Sequence, residues 1–217
     1  MTKVLAIVIR IVGVIVFLLG AALAANAFRY ANFDFTYGFL KLKQDAIATG
    51  WYLPAYYSHV LVAGLILLIG FFQLHPTWGQ RWKKLHRSLG YVYVMGILFF
   101  SAPGGLVMSF FINRGPWVLT SFIVQACLWF YCTAMAFDRI RKKDIAAHRE
   151  WMWRSFALTF AAITLRIYIF IASYFVDLKA PAAYATIAWL SWLLNIIVIE
   201  FYLQEKIRVP AKKIHSL

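Results

Sequence analysis

Charged residues are scarce in this sequence, and acidic ones are the scarcest. Only 14% of the 217 residues are charged, and 8 of them are Asp or Glu, whereas hydrophobic residues reach 63%. Soluble globular domains carry about 25% charged residues, so this composition excludes an ordinary soluble domain and predicts an integral membrane protein. The formal net charge of +14 comes from short basic clusters between apolar runs. The positive-inside rule explains such clusters without a nucleic-acid partner.

Cysteine and the familiar catalytic motifs are also lacking. The only cysteines, Cys127 and Cys132, lie in one apolar run at a spacing that does not bring them to the same helix face. Neither a disulfide nor a metal-binding Cys pair is therefore indicated. The sequence has no HExxH motif, no cluster of carboxylates, no Gly-rich phosphate loop and no GxSxG motif. A zinc protease, a nucleotide-dependent enzyme and an acyl hydrolase thus have no support, and whether the protein is an enzyme stays open.

What the sequence has instead is long apolar runs. Six of them are long enough, at about 1.5 Å per residue, to cross about 30 Å of hydrocarbon as helices. They cover residues 4–28, 56–74, 88–112, 117–137, 155–176 and 183–203. The first run is longer than the core of a signal peptide, so we expect it to be retained. We predict an all-α, polytopic helical bundle that forms one membrane domain over residues 1–217, with residues 29–54 as a partly ordered outer loop at the membrane interface.

Lys and Arg are concentrated on one side of the six runs. They cluster at the amino end, in the loops before the third and fifth runs, and in the carboxyl tail. The opposite loops contain only Arg29, Lys41, Lys43, Arg114 and Lys179. Because cytoplasmic loops carry the excess of Lys and Arg, both termini are predicted to be cytoplasmic.

Arg166 lies near the centre of the fifth run. A cation at this depth in a bilayer is costly, which makes it a candidate functional residue. His59, Gln125 and the helix break expected at Pro103 fall at a similar depth. We therefore predict a ligand cavity lined by His59, Gln125, Arg166 and Pro103. Alternatively, Arg166 is a structural tie that binds carbonyls freed at Pro103 or pairs with Glu200.

Three histidines, His75, His86 and His148, fall at the cytoplasmic ends of predicted helices. Imidazoles from different helices at one height suit the two axial positions of a b-type haem, or a divalent transition metal. We predict His86 and His148 as the ligands, with His75 as the substitute. Alternatively, the pairs His86-Arg87 and His148-Arg149 bind lipid phosphate or anchor their helices at the headgroups.

Four segments and one acidic residue form a recognisable set. They are residues 71–73 (FFQ), 85–93 (LHRSLGYVY), 147–166 (AHREWMWRSFALTFAAITLR) and 188–195 (AWLSWLLN), together with Glu200. This set resembles a family of bacterial predicted membrane proteins, domain of unknown function 2306, over residues 57–203. The resemblance implies a helical protein of the bacterial inner membrane and carries no established activity. The resemblance also implies a set of polar positions that recur in the family. In this sequence they are His59, Gln73, Arg81, His86, Arg87, His148, Arg149, Arg154, Arg166, Asn195 and Glu200.

The layout is also similar to membrane cytochromes of the b561 type. Those place a His pair within helices on each side of the membrane, whereas here the outer side offers only His59. The similarity therefore implies at most one haem.

These observations give three hypotheses for function. The first is an electron-transfer protein that binds haem b or a quinone-like ligand and exchanges electrons with a quinone or another membrane redox protein. In it the polar residues around the ligand are Arg87, Arg149, Arg154, Asn195 and Glu200. The second is a carrier or channel for a small solute, received by Arg166. The third is a structural or assembly subunit.

Overall fold

The computed structural model describes residues 3–75 and 77–214, and the side chains of residues 4–206 except 76 and 80. The side chains of the predicted basic tail beyond residue 206 lie outside the described residues. The described chain consists of helices joined by turns and short irregular segments, and it contains no strand. Within it, six helices are long and apolar enough to cross a membrane. The all-α fold with six spanning helices is thus confirmed.

The chain divides into two compact units, Met1–Val107 (unit 1) and Met108–Leu217 (unit 2). The prediction that residues 1–217 form one membrane domain stays a prediction, as does the sidedness of the termini.

Unit 1 is built around one central helix. Its helices are α1 (Lys3–Phe28), α2 (Gln44–Ala48), α3 (Tyr52–Leu74), α4 (Trp78–Arg81), α5 (Lys83–Gly96) and α6 (Ala102–Ser109), the last two residues of which belong to unit 2. α3 packs against both α1 and α5. Glycines allow this close approach: a Cβ at Gly64 would lie 3.1 Å from Cβ of Ala27, and one at Gly96 would lie 3.0 Å from Cδ1 of Ile66. Small residues let helix backbones approach each other in a bilayer, where burial from water does not drive association.

The predicted break at Pro103 is wrong in form. The helix is continuous here: a π-helical turn, Ile97–Ser101, leads directly into α6, which contains Pro103 as its second residue. Because proline has no N–H, the α-helical hydrogen bond to the carbonyl four residues earlier is lost there. The helical turn before Pro103 instead contains one extra residue, so that the N–H of Ala102 donates to the carbonyl of Ile97, five residues earlier.

The segment predicted as a partly ordered outer loop is mostly helical. It contains the 3₁₀ helices Arg29–Asn32 and Gly38–Lys43 as well as α2, and α3 begins four residues before the predicted start of its span. The buried rings of Tyr30, Tyr52 and Tyr56 hold it together: the ring of Tyr56 lies 5.3 Å from that of Tyr30 and 5.9 Å from that of Tyr52. Its location at the membrane interface stays a prediction.

Unit 2 consists of three helices that all contact one another: α7 (Pro116–Arg141), α8 (Ile145–Ala172) and α9 (Pro181–Ile214). The prediction that residues 138–154 form a basic loop is wrong, because α7 runs to Arg141 and α8 begins at Ile145. Asp144 caps α8, since its carboxylate accepts a hydrogen bond from the N–H of Ala147 at 3.0 Å. His148, Arg149 and Arg154 therefore lie on α8.

Candidate functional site

His148 is held in one tautomer by the neighbouring helix. It is partly buried near the start of α8, and its Nδ1 lies 2.8 Å from the backbone carbonyl oxygen of Ala136 in α7. A carbonyl oxygen only accepts hydrogen bonds, so Nδ1 carries the proton and donates it. The lone pair of the neutral ring then lies on Nε2. Metal-binding histidines are commonly oriented in this way, through a carbonyl or carboxylate on the other ring nitrogen.

His86 lies on α5, where it meets two other elements of unit 1. Its ring packs against Gly79 of α4 so closely that a Cβ on Gly79 would lie 3.1 Å from Nδ1 of His86. Its backbone carbonyl accepts a hydrogen bond from Nε2 of Gln73 at 2.9 Å. Gln73 thereby joins the end of α3 to the start of α5.

His75 is exposed at the end of α3. Its ring stacks on Trp78 with centroids 4.3 Å apart, and its Nδ1 lies 3.2 Å from the hydroxyl oxygen of Thr77. The extended backbone of His75 (ψ 125°) ends α3.

The three predicted ligands are divided between the units: His75 and His86 belong to unit 1, and His148 to unit 2. Among the described residues no group of three or more His, Cys, Asp or Glu side chains is placed to hold a metal ion. The assignment of a haem or metal to these histidines stays a prediction.

Of the four residues predicted to line a cavity, His59 and Pro103 belong to unit 1, where His59 contacts residues on either side of Pro103. Nδ1 of His59 donates to the carbonyl oxygen of Ser101, the last residue of the π-helical turn, at 2.7 Å. Gly105 makes room for this ring, because a Cβ there would lie 2.8 Å from Nδ1 of His59. Ser101 is completely buried, and within the described part of the chain its hydroxyl group has no hydrogen-bond partner.

The other two predicted cavity residues, Gln125 and Arg166, lie in unit 2. Nε2 of Gln125 lies 3.5 Å from the carbonyl oxygen of Leu158, which is a weak hydrogen bond. Arg166 is exposed, and its Nη1 donates to the carbonyl oxygen of Ala162, one turn earlier on α8, at 2.8 Å. A cavity shared by the four residues stays a prediction.

Glu200 pairs with Arg154, so the alternative pairing of Glu200 with Arg166 is wrong. Nε and Nη2 of Arg154 donate to the two carboxylate oxygens of Glu200, at 2.5 and 2.9 Å. The guanidinium also lies 4.7 Å from the ring centroid of Trp151, and its Nη1 lies 4.0 Å from a carboxylate oxygen of Glu150. Such a two-point pair fixes α8 to α9 in both position and orientation.

Asn195 is the second polar tie between α8 and α9. Its side-chain nitrogen donates to the carbonyl oxygens of Ala157 and Ser191 and to the hydroxyl of Thr164, at 2.9 to 3.1 Å. In contrast, Arg87 and Arg149 are exposed. Three of the polar residues predicted to surround a ligand therefore connect α8 to α9 instead: Arg154 with Glu200, and Asn195 by itself.

Sequence reasoning missed the buried hydroxyl and indole pairs of unit 2. The hydroxyls of Thr133 and Ser155 lie 2.7 Å apart, and the indole N–H of Trp129 donates to the hydroxyl of Thr159 at 3.0 Å. A sequence signal for these pairs exists: Ser155 and Thr159 are spaced four apart in one apolar run, and such spacing indicates a helix face that contacts another helix.

A family model described as a predicted membrane protein, DUF2306, matches residues 56–203. No curated protein and no solved structure matches the chain, so the similarity to b561-type cytochromes is not supported. The matched segment covers more than half of the chain and includes three of its six candidate spanning helices in full and most of two others. The chain is thus a multi-pass membrane protein that belongs to the DUF2306 family.

Proposed function

We propose that this protein is a membrane electron-transfer protein that binds a b-type haem through Nε2 of His148. The supporting observation is the hydrogen bond from Nδ1 of His148 to the carbonyl oxygen of Ala136. It fixes the tautomer whose Nε2 lone pair faces away from that bond, which is the protonation state that haem iron requires. A bound haem supplies one-electron exchange.

The residues around His148 fit this role chemically. The exposed guanidinium of Arg149 would pair with a haem propionate. The rings of Trp151 and Tyr131, which meet edge to face at 5.6 Å, give the start of α8 an aromatic surface. Haem is a flat apolar ring system, so such a surface favours its binding.

His86, with His75 as its substitute, stays a prediction from the sequence for a second ligand, and the proposal rests on His148 of unit 2 alone. We propose a quinone or another membrane redox protein as the electron partner, and the bacterial inner membrane, with both termini cytoplasmic, as the location.

Absorption spectra of the detergent-purified protein test the haem proposal. After expression with ample haem supply, we expect a Soret band that sharpens when dithionite reduces the air-oxidised sample. His148→Gln should abolish this band while the protein keeps its melting temperature, since a glutamine can still donate to the Ala136 carbonyl. His215→Ala, a change in the carboxyl tail, is the control and should keep the band. A colourless wild type, or a His148→Gln variant with an unchanged spectrum, contradicts the proposal.

The π-helical turn of unit 1 favours a second candidate function, a carrier or channel for a small polar solute. π-Helical turns occur frequently at functional sites, and an unpartnered buried hydroxyl such as that of Ser101 is a place where a water molecule or a polar solute can bind. In this proposal Ser101 and His59 contact the solute in unit 1, and Arg166 is tested by itself in unit 2 as a residue that attracts small anions.

Uptake into proteoliposomes tests the carrier. Ser101→Ala and Arg166→Ala should each remove uptake of a set of small organic anions while the protein stays folded. Unchanged uptake in both variants, or no uptake by the wild type, contradicts the carrier.

A further inference from the structure

A groove of about 520 Å³ opens where α4 meets α5. It is lined by five consecutive residues, Arg81, Trp82, Lys83, Lys84 and Leu85. The chain turns sharply at Trp82 (φ −122°, ψ 61°), which separates the two helices and exposes the three basic side chains. Three cations thus lie around one concave surface.

Aromatic rings form one wall of this region. The ring of Trp82 stacks parallel to that of Phe72, with centroids 6.2 Å apart, and lies 6.0 Å from that of Trp78. Both tryptophans remain substantially exposed, at 44% for Trp82 and 38% for Trp78. The guanidinium of Arg81 lies 5.6 Å from the centroid of the Trp82 ring. Exposed tryptophans beside cations are typical of the headgroup level of a membrane.

The positive charge of the groove has no acidic neighbour in the sequence. Residues 51–137 contain no Asp or Glu, so the carboxylates closest along the chain are Asp45 and Asp138. The start of α5 adds to the positive potential, because it has no side-chain cap and no acidic residue in its first turn. The first N–H groups of a helix have no acceptor within the helix and carry a partial positive charge. Lys83 and Lys84 at this position make the helix start still more favourable for an anion.

The location of the groove decides which anion fits. One candidate spanning helix ends at Leu74 and the next begins at Lys83, so the groove lies at a membrane boundary. There the abundant anions are the phosphate groups of phospholipids, and basic clusters directly beside a spanning helix attract them. The exposed Trp82 and Leu85 at the same groove, 44% exposed each, suit contact with the adjoining acyl chains.

We propose that the groove formed by Arg81, Trp82, Lys83, Lys84 and Leu85 binds the phosphate headgroup of an anionic phospholipid. Arg81 and the two lysines pair with the phosphate oxygens, and Trp82 packs beside the glycerol backbone. The site is independent of any haem or solute, and a negative result for either of those functions leaves it untouched.

Titration of the full-length, detergent-purified protein with short-chain lipids tests the proposal. Dioctanoyl phosphatidylglycerol should bind at least tenfold more tightly than dioctanoyl phosphatidylcholine, as measured by thermophoresis. Changing Arg81, Lys83 and Lys84 together to Gln should weaken phosphatidylglycerol binding by about 100-fold, because each cation near a membrane surface contributes a factor of about five. In 1 M salt the preference should disappear, since charge interactions are then screened within about 3 Å.

Three basic residues at the turn from α7 to α8 provide a matched control. Changing Arg141, Lys142 and Lys143 together to Gln removes the same charge, and this variant should keep the wild-type lipid preference. Equal losses in the two triple variants would show diffuse attraction and overturn the site. Inorganic phosphate that competes as effectively as the lipid would also overturn it. Melting temperatures identify any variant that fails to fold, and single Arg81→Gln and Lys84→Gln variants then replace it.

Discussion

The two units differ in how the buried hydroxyl groups of their spanning helices are hydrogen-bonded. In unit 2 the hydroxyls of Ser121, Thr133, Ser155 and Thr159 all have hydrogen-bond partners on neighbouring helices or on their own. In unit 1 the helix departs from α geometry at the π-helical turn, and the buried hydroxyl of Ser101 has no partner among the described residues.

This difference separates polar residues that hold helices together from polar residues available for a ligand. Unsatisfied buried groups cost stability, so their retention suggests a use beyond folding. By this criterion Asn195 and the Arg154–Glu200 pair are structural in unit 2. Ser101 beside His59 is the position in unit 1 where a ligand would supply the missing partner. Removal of a buried hydroxyl should therefore lower the free energy of unfolding in unit 2 and leave it unchanged or raise it at Ser101 in unit 1.

The largest effect is expected for the ion pair of unit 2. Arg154→Ala leaves Glu200 without its two-point partner in a partly buried position and should lower the free energy of unfolding by about 2–3 kcal/mol. Lys142→Ala is the control: it breaks a 2.9 Å pair with Asp138 that is largely exposed, and it should cost less than about 0.5 kcal/mol. Unfolding in mixed detergent micelles measures both. Equal losses would mean that Arg154 contributes no more than a surface charge.

The second effect concerns the packing around the π-helical turn of unit 1. Gly104→Ala would place a Cβ 2.7 Å from the carbonyl oxygen of Ala55 and against Oγ of Ser58, and backbone cannot move aside cheaply. We expect a loss of about 2 kcal/mol in the free energy of unfolding. Gly13→Ala is the matched control in α1, because no atom lies within 4 Å of the added Cβ; it should be neutral or slightly stabilising. A tolerated Gly104→Ala would show that α6 and α3 are not closely packed.

The spanning helices followed from the sequence because each rests on a local property. Apolar length located all six, and the missing N–H of Pro103 marked the irregular turn to within a few residues. Its form was not predictable locally, since a proline permits a break, a kink or a π-helical turn. Here the π-helical form is stabilised by a contact distant in sequence, from His59 to the carbonyl of Ser101.

The start of α8 and the partners of its polar residues were harder to predict. The charged residues before residue 155 suggested a loop, yet Asp144 is a standard helix cap and the helix simply extends beyond its apolar part. Arg154 and Glu200 are separated by 46 residues. Which acid an arginine selects depends on the rotation of two helices, and apolar patterning leaves that rotation undetermined.

A smaller effect is expected for Asn195. Asn195→Ala removes hydrogen bonds to the carbonyls of Ala157 and Ser191 and to the hydroxyl of Thr164. Interhelical hydrogen bonds in membranes contribute about 0.6 kcal/mol on average, so we expect a loss of about 1 kcal/mol in the free energy of unfolding. Asn195→Asp, which keeps the shape but replaces the donating NH₂ group with a carboxylate oxygen, should lose at least as much. If Asn195→Ala leaves the free energy of unfolding unchanged, Asn195 does not help to hold α8 and α9 together.

The smallest effect, and the one that tests the contrast most directly, is the same substitution made once in each unit. Ser101 and Ser155 are both completely buried. Ser155→Ala removes a hydrogen bond with Thr133 and should cost about 0.5–1 kcal/mol, whereas Ser101→Ala deletes an unpartnered hydroxyl and should be neutral or stabilising by up to about 0.5 kcal/mol. Unfolding of the two variants in the same micelles measures the difference. If Ser101→Ala is instead as destabilising as Ser155→Ala, the Ser101 hydroxyl already serves the fold, and the place for a ligand in unit 1 has to be sought elsewhere. If it is neutral in stability yet removes uptake by proteoliposomes, the hydroxyl is retained for the solute.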